Sequence, residues 1–260
     1  MALTISFARR LLFVNAFACP LGLLLAQVPA AAPPLDVPET EQRITKLLGE
    51  MTLEEKIGQL VHFADSTTGP GAPHPDYREQ VAQGSVGSLE NITGAAETNA
   101  LQKLAIEKSR LHIPLLFALD VVHGYRTIFP VPLAMASTWD PLIVERASRI
   151  AAKEATRDGI RWTYSPMVDI ARDARWGRIV EGAGEDPYLG SAMAAAYVRG
   201  YQSTRLDDPQ SMLACAKHFV GYGAAEGGKD YNSVELSERT LRQVYLPPFH
   251  AALEAGAGSV

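Results

Sequence analysis

Cysteine is scarce in this chain, and its histidines are not clustered. The 260 residues include two cysteines, Cys19 and Cys215, and six scattered histidines. Two thiols, one of them in an apolar leader, cannot build a disulfide framework. No Cys/His spacing offers a zinc site, and Cys215 reads as a small buried residue. Basic runs are missing as well: the longest is Arg9-Arg10, and the formal charge is −5. This balance argues against nucleic acid as a partner and favours an uncharged or cationic ligand. No G-x-G-x-x-G follows the first strand-like segment, so the dinucleotide fingerprint is absent. At 47% hydrophobic residues, the chain has material for one large domain or most of one.

Residues 1–32 carry Arg9 and Arg10, then a mostly apolar stretch, then small residues around Ala30 to Ala32 ahead of Pro33-Pro34. That is the layout of a secretory signal peptide. Asn15, Pro20 and Gly22 interrupt the apolar stretch, which is too broken for a membrane span. Cleavage there removes two arginines and no acids, taking the formal charge from −5 to −7 in an exported chain, periplasmic or secreted, with no membrane span. Residues 33–260 form the domain proper.

Helix and strand signals alternate along that domain. A helix is expected over about Glu39 to Met51. Thr52-Leu53-Glu54-Glu55 then has the spacing of a capping box for a second, short helix. Leu60 to Ala64 reads as a strand with Asp65 at its tip, Val86 to Glu90 as another, and Glu97 to Ser109 as a helix. Pro114 to Val122 is the most continuous apolar run, suited to a strand buried on both faces. Asp140-Pro141 and Asp186-Pro187 each place an N-cap before a proline at the first helical position. Between those helices lies a strand from Trp162 to Val168 and a charged loop whose glycines, 177, 182 and 184, oppose helix. Met212 to Ala216 is a further strand, followed by a glycine-rich loop from Gly221 to Lys229, a helix from Ser237 to about Ala255, and the start of another strand near residue 257.

Strands separated by helices imply a parallel sheet. An open doubly wound sheet and a closed barrel both fit that alternation. Polar residues at several expected strand ends, Asp120, Arg175 and Lys217-His218, favour the barrel, whose sites are assembled from strand tips. The expectation is therefore a (β/α)8 TIM-type barrel, truncated after about five and a half β/α units.

Asp120 can accept hydrogen bonds from two neighbouring hydroxyls, as a sugar requires, or can pair with Arg126 or His123 to hold a loop. Lys217-His218 sets an ammonium beside an imidazole directly after an apolar strand. Lys217 could equally serve a Schiff-base lyase. Arg175-Trp176 offers a donor fork beside an aromatic face. Arg172, Asp173 and Arg178 are expected to pair among themselves, and Glu181 and Glu185 to form ion pairs with nearby arginines.

Four ordered stretches, MTLEEKIGQL (51–60), ALDVVHG (118–124), RDARWGRIVEGAGEDPYLG (172–190) and KHFVGYGAAEGGKDYN (217–232), resemble the amino-terminal barrel domain of glycoside hydrolase family 3, and within it bacterial periplasmic β-glucosidases. The likeness covers roughly residues 38–260. It implies hydrolysis of terminal non-reducing β-D-glucosyl or xylosyl residues with retention of configuration, on β-glucoside or oligosaccharide substrates, with no metal or cofactor. It also implies sugar-hydroxyl contacts from Asp120, Arg175, Lys217 and His218. The family's nucleophile, an aspartate on a later barrel strand, and its acid/base glutamate, on a following domain, have no counterpart in these motifs; the resemblance puts both beyond Val260. It therefore assigns no catalytic residue here and implies missing carboxy-terminal strands and a second domain. A fragment of this kind is expected to be inactive alone. A non-catalytic sugar-binding protein is the alternative. The loop GAAEGGKDYN lacks the Asp-x-His of the family's N-acetylhexosaminidases, which disfavours amino sugars.

Overall fold

The computed structural model describes residues 38–64 and 76–260. The expected signal peptide and the Asp65 strand tip lie outside the described residues. Within them, α1 (Pro38–Glu50) and α2 (Leu53–Leu60) lead into β1 (His62–Ala64), followed by α3 (Arg78–Gln83), β2 (Ser88–Glu90), α4 (Ala95–Lys108) and β3 (Leu116–Leu119). Then come α5 (Pro132–Ala136), α6 (Pro141–Arg157), β4 (Trp162–Thr163), α7 (Pro187–Gln202) and β5 (Leu213–Ala214). The last helical stretch passes from α8 (Glu238–Thr240) through a π turn (Leu241–Tyr245) into α9 (Leu246–Glu254).

Capping chemistry sets the helix starts. In α2 the Thr52 hydroxyl accepts from the Glu55 amide at 3.2 Å, while the Glu55 carboxylate accepts from the Thr52 amide at 2.9 Å. This reciprocal pair is the expected capping box. Asp140 caps α6 and Asp186 caps α7, each with proline in the first turn. Arg110, from beyond α4, grips Glu55 with two bonds, at 2.8 and 2.5 Å. Those bonds, with the Thr52 amide, hold the Glu55 carboxyl at about 2, below its ordinary 4.5. A carboxyl depressed by folding contributes stability above its unfolded pKa and loses it as pH falls toward the folded value. The thermal midpoint of Glu55→Gln should therefore lie below that of the unsubstituted protein at neutral pH, and the two should converge as pH falls from about 5 to 2. A constant gap across that range would refute the assignment.

The five strands are all parallel and follow chain order, β1-β2-β3-β4-β5. Ser259 continues the order by bridging to Cys215 in parallel. A doubly wound sheet would reverse direction somewhere along its strands; this one does not. The β4 and β5 ladders extend further than their two-residue cores, because Cys215 and Lys217 donate to Ser165 and Pro166, and Val168 donates back to Lys217. Pro166 lacks a donor, which leaves the ladder broken into short pieces.

Leu89, Phe117 and Ala118 are buried in the sheet, and Val144, Ala151, Ala155, Ala194, Val198 and Tyr201 cover it from α6 and α7. These two helices can approach closely because Gly200 faces α6. A Cβ there would lie 2.5 Å from both the Glu145 carbonyl and the Ser148 Cβ. Cys215 is buried and unpaired, as expected of a small core residue.

Two local expectations need correction, and two short helices are added that the sequence reading does not anticipate. The charged loop is not free of helix: Gly177–Glu181 forms a 3₁₀ segment. The short helices α3 and α5 carry too few residues to show a period. The final helix is not continuous, because Pro247 and Pro248 remove two amides from the i→i−4 ladder, and the chain passes through the π turn just before them.

Candidate functional site

Asp120 follows β3 directly, and Lys217-His218 follows β5, so parallel pairing brings them to the same end of the sheet. The Lys217 Nζ donates to Asp120 Oδ1 at 2.6 Å. The lysine side chain is 14% exposed and the aspartate 51%, so the pair faces outward on the acid's side. Lys217 Nζ also lies 6.0 Å from the centre of the Tyr164 ring. Burial, then the nearby Glu90 and Asp120 carboxylates, push the Tyr164 hydroxyl up. The loop alternatives for Asp120 are occupied elsewhere. Arg126 pairs with Asp158 at 2.6 Å, and the His123 ring bonds the Phe129 carbonyl at 2.9 Å.

His218 is held by Asp169, on the continuation of β4. One carboxylate oxygen, Oδ2, accepts from the His218 amide and from its Nδ1, both at 2.9 Å. The Asp169 side chain is 1% exposed, and its second oxygen makes no hydrogen bond. On the other edge of the imidazole, Nε2 faces Arg178 Nη1 at 3.5 Å. Arg178 donates to Glu181 through both arms of its guanidinium, at 2.7 Å each. That contact holds the Glu181 carboxyl below the usual range. Glu181 thus forms the expected ion pair.

A second group of side chains braces this one. Tyr222 stands edge-on to His218 at 4.9 Å and to Trp176 at 5.1 Å, and the Arg178 guanidinium lies over its ring. Asp230 accepts from the Trp176 indole at 2.9 Å and from the Tyr222 hydroxyl at 2.5 Å. Burial first, and Asp230 second, push the Tyr222 hydroxyl up to about 12. Glycine allows the loop to lie this close: a Cβ at Gly223 would meet the Ile170 carbonyl at 2.3 Å.

The fourth expected residue is placed differently. Arg175 is exposed and bound by Asp173 of the same turn, at 2.6 Å for its closest contact. The guanidinium holds the Asp173 carboxyl at about 2. Trp176 is buried, so Arg175-Trp176 is not an exposed fork beside an open aromatic face; the indole supports the loop instead. The expected pairing among Arg172, Asp173 and Arg178 is also replaced, by Asp173–Arg175 and Arg178–Glu181. Val260, the landmark beyond which the resemblance puts the nucleophile and the acid/base, is an exposed apolar residue just past the Ser259–Cys215 bridge and brings no functional group to the site. Asp169, Arg178, Tyr222 and Asp230 receive no binding role from sequence. Asp169 has a usable signal, being a carboxylate flanked by Met167, Val168, Ile170 and Ala171. Tyr222 and Asp230 have none.

Asp120 and Glu181, with Val122, His123, Gly124 and Pro132, also line an open cleft. The domain is thus a parallel α/β domain with hydrogen-bonding side chains gathered at the carboxyl ends of successive strands, next to a cleft. The chain belongs to glycosyl hydrolase family 3: residues 52–260 match the model of the Glycosyl hydrolase family 3 N terminal domain.

Similar proteins include the periplasmic beta-glucosidase of Salmonella typhimurium, 42% identical over 93% of this chain and 32% of that protein. A beta-xylosidase of Formosa agariphila is 37% identical over 85% of this chain and 27% of its own length. Among solved structures, the beta-glucosidase of Listeria innocua in complex with isofagomine superimposes with a TM-score of 0.76, at 40% identity, covering 85% of this chain and 31% of that one. The chain thus spans under a third of the length of these relatives.

Proposed function

We propose that this chain supplies the sugar-recognition part of a β-glucosidase-type hydrolase, exported to the periplasm or beyond, that removes terminal β-D-glucosyl or xylosyl residues with retention of configuration. The observation that carries the proposal is the outward-facing Asp120–Lys217 pair beside the Asp169-held His218. Together they present an acceptor, a cationic donor and an imidazole at neighbouring points, a set suited to adjacent hydroxyls on one pyranose ring. Arg175 is assigned to sugar binding by its motif position before Trp-Gly-Arg alone, since its side chain faces solvent and is bound by Asp173. The names of the relatives, beta-glucosidases and a beta-xylosidase, support the substrate class. The in-order parallel sheet supports closure into a (β/α)8 barrel when further strands are added.

The 2.6 Å Lys217–Asp120 contact favours hydrogen bonding over Schiff-base chemistry, because an ion-paired ammonium has no lone pair to attack a carbonyl. Retaining hydrolysis needs two carboxylic groups flanking the glycosidic bond. None is assigned to these motifs, and the full-length protein would supply both from beyond Val260.

The full-length protein should release nitrophenol from an aryl β-glucoside and yield the β-anomer first, read by proton NMR. The 260 residues alone should show no turnover. Turnover by the isolated 260 residues that Asp120→Asn abolishes, or an α-anomer as first product, would overturn the assignment.

A further inference from the structure

We propose that Asp169 is a positioning residue that fixes His218 as the Nδ1-protonated, neutral tautomer, so that Nε2 meets the sugar only as a hydrogen-bond acceptor. This deepens the sugar-binding assignment and rests on it for its activity readout.

Two neighbours define the proton's place independently. On one edge, Asp169 Oδ2 can only accept, and it lies 2.9 Å from Nδ1, so Nδ1 must carry hydrogen. On the other edge Arg178 can only donate, and its Nη1 lies 3.5 Å from Nε2, so Nε2 must be bare. A proton on Nε2 would point at a guanidinium already held in place by Glu181 through both of its arms. The same Oδ2 also takes the His218 amide, so the carboxylate clamps backbone and ring together and sets the ring's plane. Tyr222, edge-on at 4.9 Å, limits rotation further.

The Asp169 carboxylate is too deeply buried to touch a ligand itself: its side chain is 1% exposed, against 33% for His218. Its role therefore runs through the imidazole, as the partner of a metal-bound or catalytic histidine sets which nitrogen is free. Arg178 Nη1 at 3.5 Å is a long contact, leaving Nε2 able to accept a hydrogen bond from a sugar hydroxyl seated beside Lys217. At this corner the sugar then meets one donor, Lys217, and two acceptors, Asp120 and His218 Nε2.

The test is ¹⁵N NMR of the histidine side chains in the full-length protein, with the His218 signals assigned by their loss in His218→Gln. Expected in the unsubstituted protein is a protonated Nδ1 and a bare Nε2; a proton on Nε2, or on both nitrogens at neutral pH, overturns the proposal even if the protein proves to have no glycosidase activity. Asp169→Asn is nearly isosteric, and in it kcat/KM for an aryl β-glucoside should fall by about tenfold to a hundredfold, the worth of charge-assisted hydrogen bonds. The double variant Asp169→Asn/His218→Gln should fall no further than His218→Gln alone, since residues acting through one another are not additive. Fully additive losses would mean that Asp169 acts through the fold and not through His218. A well-folded protein with the expected ¹⁵N pattern but no activity would reject the hydrolase assignment and leave the tautomer assignment standing.

Discussion

Lys217→Met in the full-length protein lowers kcat/KM for an aryl β-glucoside by about 10²–10³-fold, the usual cost of removing one well-placed donor from an active site. Methionine keeps the length and most of the apolar packing of the lysine stem while removing the three N–H donors. The loss should be specific to function. Lys217 is mostly buried and Asp120 half exposed, so deleting the ammonium removes a desolvated charge and leaves an acid that water can solvate. The urea midpoint should hardly move. The reverse deletion differs. Asp120→Leu leaves the ammonium without its ion-pair partner, 6.0 Å from the centre of the Tyr164 ring and with only the more distant field of the Glu181 carboxylate to offset its charge. Partial exposure limits that penalty, which should be about 1–2 kcal/mol, below the value for a fully buried pair. Kinetics and urea denaturation of both variants check the asymmetry. A Lys217→Met enzyme within about threefold of the unsubstituted kcat/KM would remove Lys217 from the site.

The parts of this fold legible in the sequence are those written in short-range chemistry. Thr52 with Glu55, Asp140 with Pro141 and Asp186 with Pro187 each mark a helix start, and each forms the cap its residue types imply. The apolar run before Asp120 gives β3, and the sequential alternation of strands and helices gives a parallel sheet, though not by itself the order of its strands. Elements set by tertiary contact are not legible. The π turn at Leu241–Tyr245 is a compromise between two prolines and a helix that must still bury Val244, Tyr245 and Phe249. No local pattern announces such a compromise.

The site divides along the same line. Asp120, Lys217 and His218 can be picked out because polar residues ending apolar strands cost desolvation unless used. Their pairing, Asp120 with Lys217 across 97 positions, depends on strand order, which residue types alone do not encode. Arg175 and Trp176 show the limit of inference from neighbours in sequence. Adjacent residues in an extended turn point in different directions, and here the arginine faces solvent while the indole enters a small core with Met167 and Ala171. The loop at Gly221–Asp230 is legible as glycine-rich, but not as the brace behind His218, since that role needs Asp230 to reach Trp176 across 54 positions.

That brace is the second large effect. Trp176→Ala should destabilise the full-length protein by about 3–5 kcal/mol, the range for deleting a fully buried aromatic side chain. Trp176 is 1% exposed and packs with Met167, Ala171, Ile179 and Tyr222. A Cβ at Gly223 would lie only 3.2 Å from its ring, so the loop backbone already rests on the indole and cannot move in to fill a cavity without losing its contact with the Ile170 carbonyl side. Trp176→Phe separates packing from hydrogen bonding. The smaller ring retains much of the buried area but removes the donor to Asp230, which keeps the Tyr222 hydroxyl, so the cost should be about 1 kcal/mol. Both variants loosen Tyr222, which limits the rotation of His218. Activity should therefore fall in Trp176→Phe by more than its small stability loss would suggest, while Lys217 and Asp120 remain paired. Urea denaturation followed alongside kcat/KM distinguishes these effects. If Trp176→Ala costs less than about 1 kcal/mol, the loop is anchored by something other than the indole.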